Sequence, residues 1–392
     1  MTDNAATFPT SLQGIHYATG QAVQLTIRDG RIAQVLPLKA SAGSGSLPFI
    51  APGLVDLQIN GYAGDDFNMP PFSPELVIRA SRNLWREGVT AYYPTIITNS
   101  PEAIEEAAGI IAKACDEDPH TNRMIAGIHV EGPFISPEDG ARGAHNAAYV
   151  RAPEWELFER WQRASGNRVR ILTLSPEWPD SAAFIAKVSA AGVTVSIGHT
   201  AATPEQIREA VRAGARMSTH LGNGAHLMMP RHPNYIWEQL ACDDLWSCVI
   251  ADGFHLPESV LKVIFRAKGA QALMVSDAVH LSGLPAGEYT THVGGKVVLT
   301  PEGRLSLADN PKILAGSAQM LLWGIEHVTR SGIASLSDAW EMSSTRPGAF
   351  MGLPSGAGIA AGAPADVVLF ERDGDRVKLL QTYKDGELVY GA

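Results

Sequence analysis

Cysteine is scarce: Cys115, Cys242 and Cys248 are the three in 392 residues, an odd number with no C-x-x-C pair. Neither a disulfide framework nor a zinc knuckle can be built from them, and reduced cytoplasmic thiols are the simpler reading. Basic runs are missing too. Lys and Arg total 31 against 41 Asp and Glu, for a formal net charge of −10. A nucleic-acid-binding surface must neutralise phosphates with clustered cations, so that partner is excluded. No apolar stretch approaches the length of a membrane span, and Met1-Thr2-Asp3-Asn4-Ala5-Ala6 has neither the basic start nor the apolar run of a signal peptide. The expectation is a soluble, cytoplasmic protein with a small-molecule substrate and no membrane partner.

What the chain does have is apolar content of 45 %, enough for a large core, and a length beyond one ordinary domain. A (β/α)₈ barrel takes roughly 250 residues, which leaves room for one small satellite domain. Ser/Thr-Pro-Glu recurs as a helix start at Ser73, Ser100 and Thr203, where the hydroxyl caps free amides and Pro fits the first turn. Gly88, Gly192 and Gly214 each mark a helix end that runs at once into a strand. Eight barrel strands follow in order: 53–60, 90–97, 124–131, 169–174, 193–199, 216–220, 247–252 and 272–277. Helical patterns separate most of them, the alternation that yields a parallel sheet.

Both ends of the chain read differently, as short alternating strands. Val23–Ile27 and Ile32–Val35 are joined by Asp29-Gly30, and 365–370 is followed by 387–390 after Asp385-Gly386. Hairpins from the two termini cannot bury two faces alone, so they are expected to pair into one small β-sandwich domain. Ser41–Ser46 reads as a Gly/Ser-rich loop within it. The fold expected is α/β, a TIM-like barrel over 53–350 with a β-sandwich formed from 1–52 and 351–392.

Polar residues gather at the carboxyl ends of the predicted strands, where such barrels carry their active sites. Glu131, in His129-Val130-Glu131-Gly132-Pro133, ends an apolar strand and must be paired, protonated or metal-bound to be tolerated there. His199, in Gly198-His199-Thr200, and His220, in Thr219-His220-Leu221, end two further strands. Either histidine alone would more often be a satisfied core imidazole. Together with Glu131 they form an open His₂-carboxylate set for one divalent metal, with zinc the default and Fe²⁺, Mn²⁺ and Co²⁺ as alternatives. Asp277 ends the eighth strand and is free to act as general acid and base, a helix cap being its bland alternative. His129 faces inward one step deeper and is expected to pack or to orient a ligand. Arg231 and His255 are the cationic candidates for holding an anion.

These motifs resemble the amidohydrolase superfamily and, within it, the N-acetylglucosamine-6-phosphate deacetylases. The residues that carry the resemblance are Ala51-Pro52-Gly53-Leu54-Val55-Asp56 with Gln58-Ile59-Asn60, the Glu131, His199 and His220 motifs, Asn223, Ala251-Asp252-Gly253 with His255, Ser276-Asp277-Ala278, Gly316-Ser317-Ala318 and the strand within 362–369. The resemblance implies that Glu131, His199 and His220 bind the metal, that Asp277 is the acid and base, and that His145 approaches the acetyl carbonyl. It further implies that Asn223, Gly224 and His255 contact the phosphosugar and that Arg231 reaches the phosphate in a neighbouring subunit, which makes a homodimer part of the mechanism.

Two departures stand out. Many amidohydrolases carry His-x-His on the first strand for a second metal, whereas Gln58-Ile59-Asn60 offers amides; a branch of the deacetylases shares that pattern, which favours one metal per chain. Gly222 and Gly224 replace bulkier residues, and the run His226, Met228, Met229, His232 is unfamiliar. The reaction expected is hydrolysis of N-acetyl-D-glucosamine 6-phosphate to D-glucosamine 6-phosphate and acetate. N-acetylgalactosamine 6-phosphate or an unphosphorylated N-acyl sugar are alternatives, and a non-catalytic sugar-binding barrel is the reading from another class.

Overall fold

The structure, a computed structural model, describes residues 10–38 and 47–392. The loop expected at 41–46 and the first six residues lie outside them. Two compact units divide the chain: one draws on the residues up to Asp56, Leu84–Ala91 and Ile325–Ala392, the other on Leu57–Asn83 and Tyr92–Gly324.

The eight-stranded parallel sheet follows sequence order, from Leu54–Ile59 through Val89–Ile97, Ile128–Glu131, Val169–Leu174, Thr194–Ile197, Ala215–Ser218 and Trp246–Ile250 to Ala272–Val275. A parallel bridge from Ile59 to Ala278, with the Asp277 N–H donating to Gln58 O at 3.0 Å, brings the first and eighth strands together as a TIM-type barrel. Every residue of Leu54–Ile59 is buried, as expected of strands covered on both faces.

Helices enclose the sheet where the Ser/Thr-Pro signals predict them. Ser100 Oγ accepts from Ala103 N at 3.2 Å at the head of Pro101–Glu117, and Thr203 with Gln206 forms a capping box at the head of Pro204–Arg212. Boundaries shift at two kinds of place. Met124, expected to open the third strand, instead ends a short helix, Pro119–Met124, because the Asp118 carboxylate caps Thr121 N at 2.9 Å. At the other ends, the strands stop two residues before His199, His220 and Asp277, whose φ values of 49°, 27° and 49° take the chain out of extended geometry.

The terminal segments form one seven-stranded sheet, ordered Glu387–Gly391, Arg376–Lys384, Val367–Asp373, Phe49–Pro52, Thr10–His16, Ala22–Arg28, Arg31–Pro37. N- and C-terminal parts meet where Phe49–Pro52 runs antiparallel to Val367–Asp373, with Val367 opposite Pro52. Asp29-Gly30 (φ 50° and 73°) and Asp385-Gly386 (φ 48° and 76°) make the tight hairpin turns, with both central residues left-handed. Leu25, Ile27, Ile32, Ile50, Val367 and Leu369 belong to its core. A three-stranded sheet, Gly287–Thr291, Gly295–Leu299 and Leu305–Leu307, is inserted after the eighth barrel strand and was not anticipated. Its one sequence signal is the Gly294-Gly295 turn dipeptide.

Candidate metal centre

Glu131, His199 and His220 converge from three strand ends. His220 Nε2 lies 3.0 Å and His199 Nε2 3.3 Å from Glu131 Oε1, and the two Nε2 atoms are 3.1 Å apart. Ligands bonded tetrahedrally at about 2.0–2.1 Å stand roughly 3.3 Å from one another, so the donor atoms already have the mutual spacing of a metal-binding set. Among the described residues this is the cluster of three or more His, Cys, Asp and Glu that could hold an ion. All three side chains are buried. The chemistry of the donors and their spacing fit a divalent cation.

Two of the three ligands have a further partner, while His220 Nδ1 is buried without one. Gln58 Nε2 donates to Glu131 Oε1 at 3.1 Å, and His199 Nδ1 lies 3.1 Å from Ala141 O, leaving its Nε2 for the cluster. Gly224 is required by close approach: a Cβ there would stand 2.5 Å from His199 Nδ1, and its φ is 56°. Below the cluster His129 is fully used, 2.7 Å from Thr173 Oγ1 and 3.1 Å from Leu57 O, and burial pushes its imidazole down to about 4. It packs and orients without reaching the ligand set.

Charge is shared unequally in the cluster. Burial pushes the Glu131 carboxyl up, but hydrogen bonds and charge from His199 and His220 outweigh it and hold the group well below the carboxylate range. Burial works against a cationic His220, yet the Glu131 hydrogen bond and charge, with Asp277 beyond, bring it to about 9. Asp277 is pushed up to about 6, chiefly by burial and by the negative charge of Glu131, against the pull of His220, His255 and the Asn60 hydrogen bond.

Asn60 Nδ2 donates to Asp277 Oδ1 at 2.7 Å. The two first-strand amides thus hold one carboxylate each.

A cavity of about 480 Å³ opens above the cluster, lined by Glu131, His199, His220 and Asp277 and also by His145, Asn223, Gly224 and His255. His145 is buried, with Nε2 at 3.2 Å from His199 Nε2, and burial and its histidine neighbour push it down to about 3, so it stays neutral. Its Nδ1 has no partner. Arg231 is exposed and does not line the cavity of its own chain. Sequence reasoning missed Asp66, His280, His292, Arg304 and Lys312, which line the same cavity. Asp66 Oδ2 lies 2.8 Å from His280 Nδ1 and 3.4 Å from His292 Nδ1, while His292 and Arg304 come with the inserted sheet that was not foreseen.

The family model described as the amidohydrolase family matches residues 49–389. The chain is similar to an N-acetylglucosamine-6-phosphate deacetylase of Lysinibacillus sphaericus, at 30 % identity over 95 % of each chain. It is also similar to an N-acetylgalactosamine-6-phosphate deacetylase of Shewanella sp. (strain ANA-3), at 33 % identity over 88 % of this chain and 84 % of that one. A mutant N-acetyl-D-glucosamine-6-phosphate deacetylase from Mycobacterium smegmatis, solved in complex with N-acetyl-D-glucosamine 6-phosphate, matches with a TM-score of 0.84 and 26 % identity, covering 97 % of this chain and 99 % of that one. No helix among the described residues is long and apolar enough to cross a membrane. A barrel that carries this ligand cluster and matches across nearly its whole length belongs to the amidohydrolase family, as a hydrolase of its N-acetylglucosamine-6-phosphate deacetylase branch.

Proposed function

We propose that this enzyme hydrolyses the acetamide of N-acetyl-D-glucosamine 6-phosphate, releasing D-glucosamine 6-phosphate and acetate. The observation that carries the reading is Asp277, a half-buried carboxyl outside the Glu131, His199, His220 cluster that shares one cavity with it. Glu131, His199 and His220 would hold one divalent cation, with zinc the default. When bound, such an ion supplies Lewis acidity that polarises the acyl oxygen and acidifies water.

The chain's own residues do the rest. Asp277, whose carboxyl titrates within reach of neutrality, takes a proton from the attacking water as the new C–O bond forms. It returns that proton to the sugar nitrogen as the C–N bond breaks, so the amine leaves neutral; the acetic acid formed keeps the water oxygen and its second proton, which it then releases to solvent as acetate. His145, neutral and with a free ring nitrogen, donates a hydrogen bond to the acyl oxygen as charge develops there. Asn223, Gly224 and His255 hold the phosphosugar.

Arg231 serves the phosphate in a partner subunit of a homodimer. Its exposure outside its own cavity supports this, as do Leu227 and Met228 beside it, 100 % and 89 % exposed, an apolar pair suited to being covered. Cys115, Cys242 and Cys248 form no disulfide among the described residues, in agreement with a cytoplasmic enzyme.

A second reading, the C4 epimer N-acetyl-D-galactosamine 6-phosphate as substrate, is favoured by the similarity to the Shewanella relative. The test is acetate release from a panel of N-acetylated sugars, with and without a 6-phosphate, on protein of measured metal content. Acetate from the gluco 6-phosphate, at a higher kcat/KM than from the galacto epimer, supports the first reading; no acetate from any member overturns both.

A further inference from the structure

Asn60 and Asp277 are 217 positions apart in sequence, yet the backbone fastens them side by side. The Asn60 N–H donates to Ala278 O at 2.7 Å and the Asp277 N–H donates to Gln58 O at 3.0 Å, where the first strand meets the eighth. Onto this clamp the side chains add the 2.7 Å bond from Asn60 Nδ2 to Asp277 Oδ1. That bond engages one carboxylate oxygen and leaves Oδ2 available. The amide's other end is different: Asn60 Oδ1 is buried and has no partner, in a residue that lines the catalytic cavity. A buried carbonyl oxygen left unpaired is unfavourable, and the amide keeps this orientation because turning it over would set its oxygen against the Asp277 carboxylate and lose the bond.

We propose that Asn60 is a positioning residue for Asp277: its amide N–H fixes which carboxylate oxygen is engaged and which is left for the substrate, while its carbonyl oxygen stays sealed from the cavity. The proposal rests on the reading of Asp277 as acid and base. An amide suits this place because it donates to the carboxylate at every pH and never takes the proton itself. A histidine there would compete for that proton. The hydrogen bond also favours the ionised form of Asp277, so its loss should make the carboxyl a weaker acid.

The experiment compares metal-loaded wild type with Asn60→Ala, Asn60→Ser and Asp277→Asn. Asn60→Ala should keep its metal and lower kcat about 10–100-fold as supporting hydrogen-bond partners typically do, with KM little changed. The acid limb of its kcat/KM profile should move to higher pH, a shift that a purely structural contact would not produce. Asn60→Ser, which keeps a short donor and acceptor, should recover part of kcat. Carboxyl ¹³C titration of Asp277 reads the same effect without turnover, in Asn60→Ser alone if the alanine variant does not fold. Unchanged kcat, acid limb and Asp277 titration, with Asp277→Asn inactive, would overturn the positioning role and leave the parent reading standing. An active Asp277→Asn enzyme would overturn both.

Discussion

Asp252 holds His255 by two hydrogen bonds and the residue before it by a third: Oδ2 lies 2.7 Å from the His255 ring Nδ1, while Oδ1 accepts the main-chain N–H groups of His255 at 2.9 Å and Phe254 at 2.8 Å. Burial alone would push this carboxyl up, but His255 and the two N–H groups bring it below its usual range, so it stays anionic. The imidazole is thereby fixed with Nε2 as its remaining polar atom, in a residue that lines the cavity. Asp252→Asn should raise KM for a phosphorylated substrate about tenfold, the scale of a lost supporting partner, with a smaller effect on the unphosphorylated sugar. Steady-state kinetics on the two substrates is the check, and identical changes would remove His255 from anion binding.

Metal binding should be strongly pH-dependent. In the metal-free protein His220 is raised to about 9, so it carries a proton at neutral pH that must leave before its nitrogen can bind a cation. Lower pH favours the proton. The apparent affinity for Zn²⁺ should therefore rise about tenfold per pH unit from 6.5 towards 9 and then level off. Competition against a chelator at several pH values measures the slope. His199→Ala and His220→Ala should each lose both metal and turnover, and elemental analysis of wild type should give one ion per chain; two in a fully active preparation would sink the single-site reading.

Asp277→Asn should retain metal, fold and much of the substrate affinity, because the amide is nearly isosteric. Its kcat should fall by about 10²–10⁴-fold, the usual worth of general acid–base help. In the wild type the working form is the carboxylate, present above its pKa of about 6, so kcat/KM should decline as pH falls through that value. A bound cation lowers the midpoint further, never raises it. Loss of metal together with activity would recast Asp277 as a ligand.

The anion offers a contest between two sources of positive charge. If Arg231 reaches a partner's substrate, Arg231→Ala should raise KM for the 6-phosphate far more than for the plain sugar, and Arg304→Met and Lys312→Met should change the ratio little. The reverse ranking would place the grip on cations that line the chain's own cavity. Kinetics of the three variants on both substrates decides it.

Glu131, His199, His220 and Asp277 were legible because each interrupts an apolar strand with a group that needs a reason to be there. The terminal hairpins were legible through Asp29-Gly30 and Asp385-Gly386, where left-handed backbone demands such residues. The inserted sheet was not, because Gly287–Thr291 alternates only intermediate and exposed residues and has no apolar face of its own to announce it. Arg304 and Lys312 were hidden for the same reason, since a cation in an unplaced loop reads as surface. Gln58 and Asn60 stood out only as poor metal ligands; that their donors face Glu131 and Asp277 depends on how the first strand lies beside the others, which sequence spacing does not convey.

His199, His220 and Asp277 share one trait beyond chemistry: each is a non-glycine residue held at positive φ. Left-handed backbone costs an ordinary side chain about 1–2 kcal/mol, so the barrel would be more comfortable with glycine or asparagine at all three places. Selection for turnover and selection for stability therefore pull these positions in opposite directions. A descendant of this chain released from its reaction would gain stability there only by losing Glu131 along with the imidazoles that hold it ionised. Glycine at these sites in an otherwise intact barrel would mark an enzyme retired from catalysis.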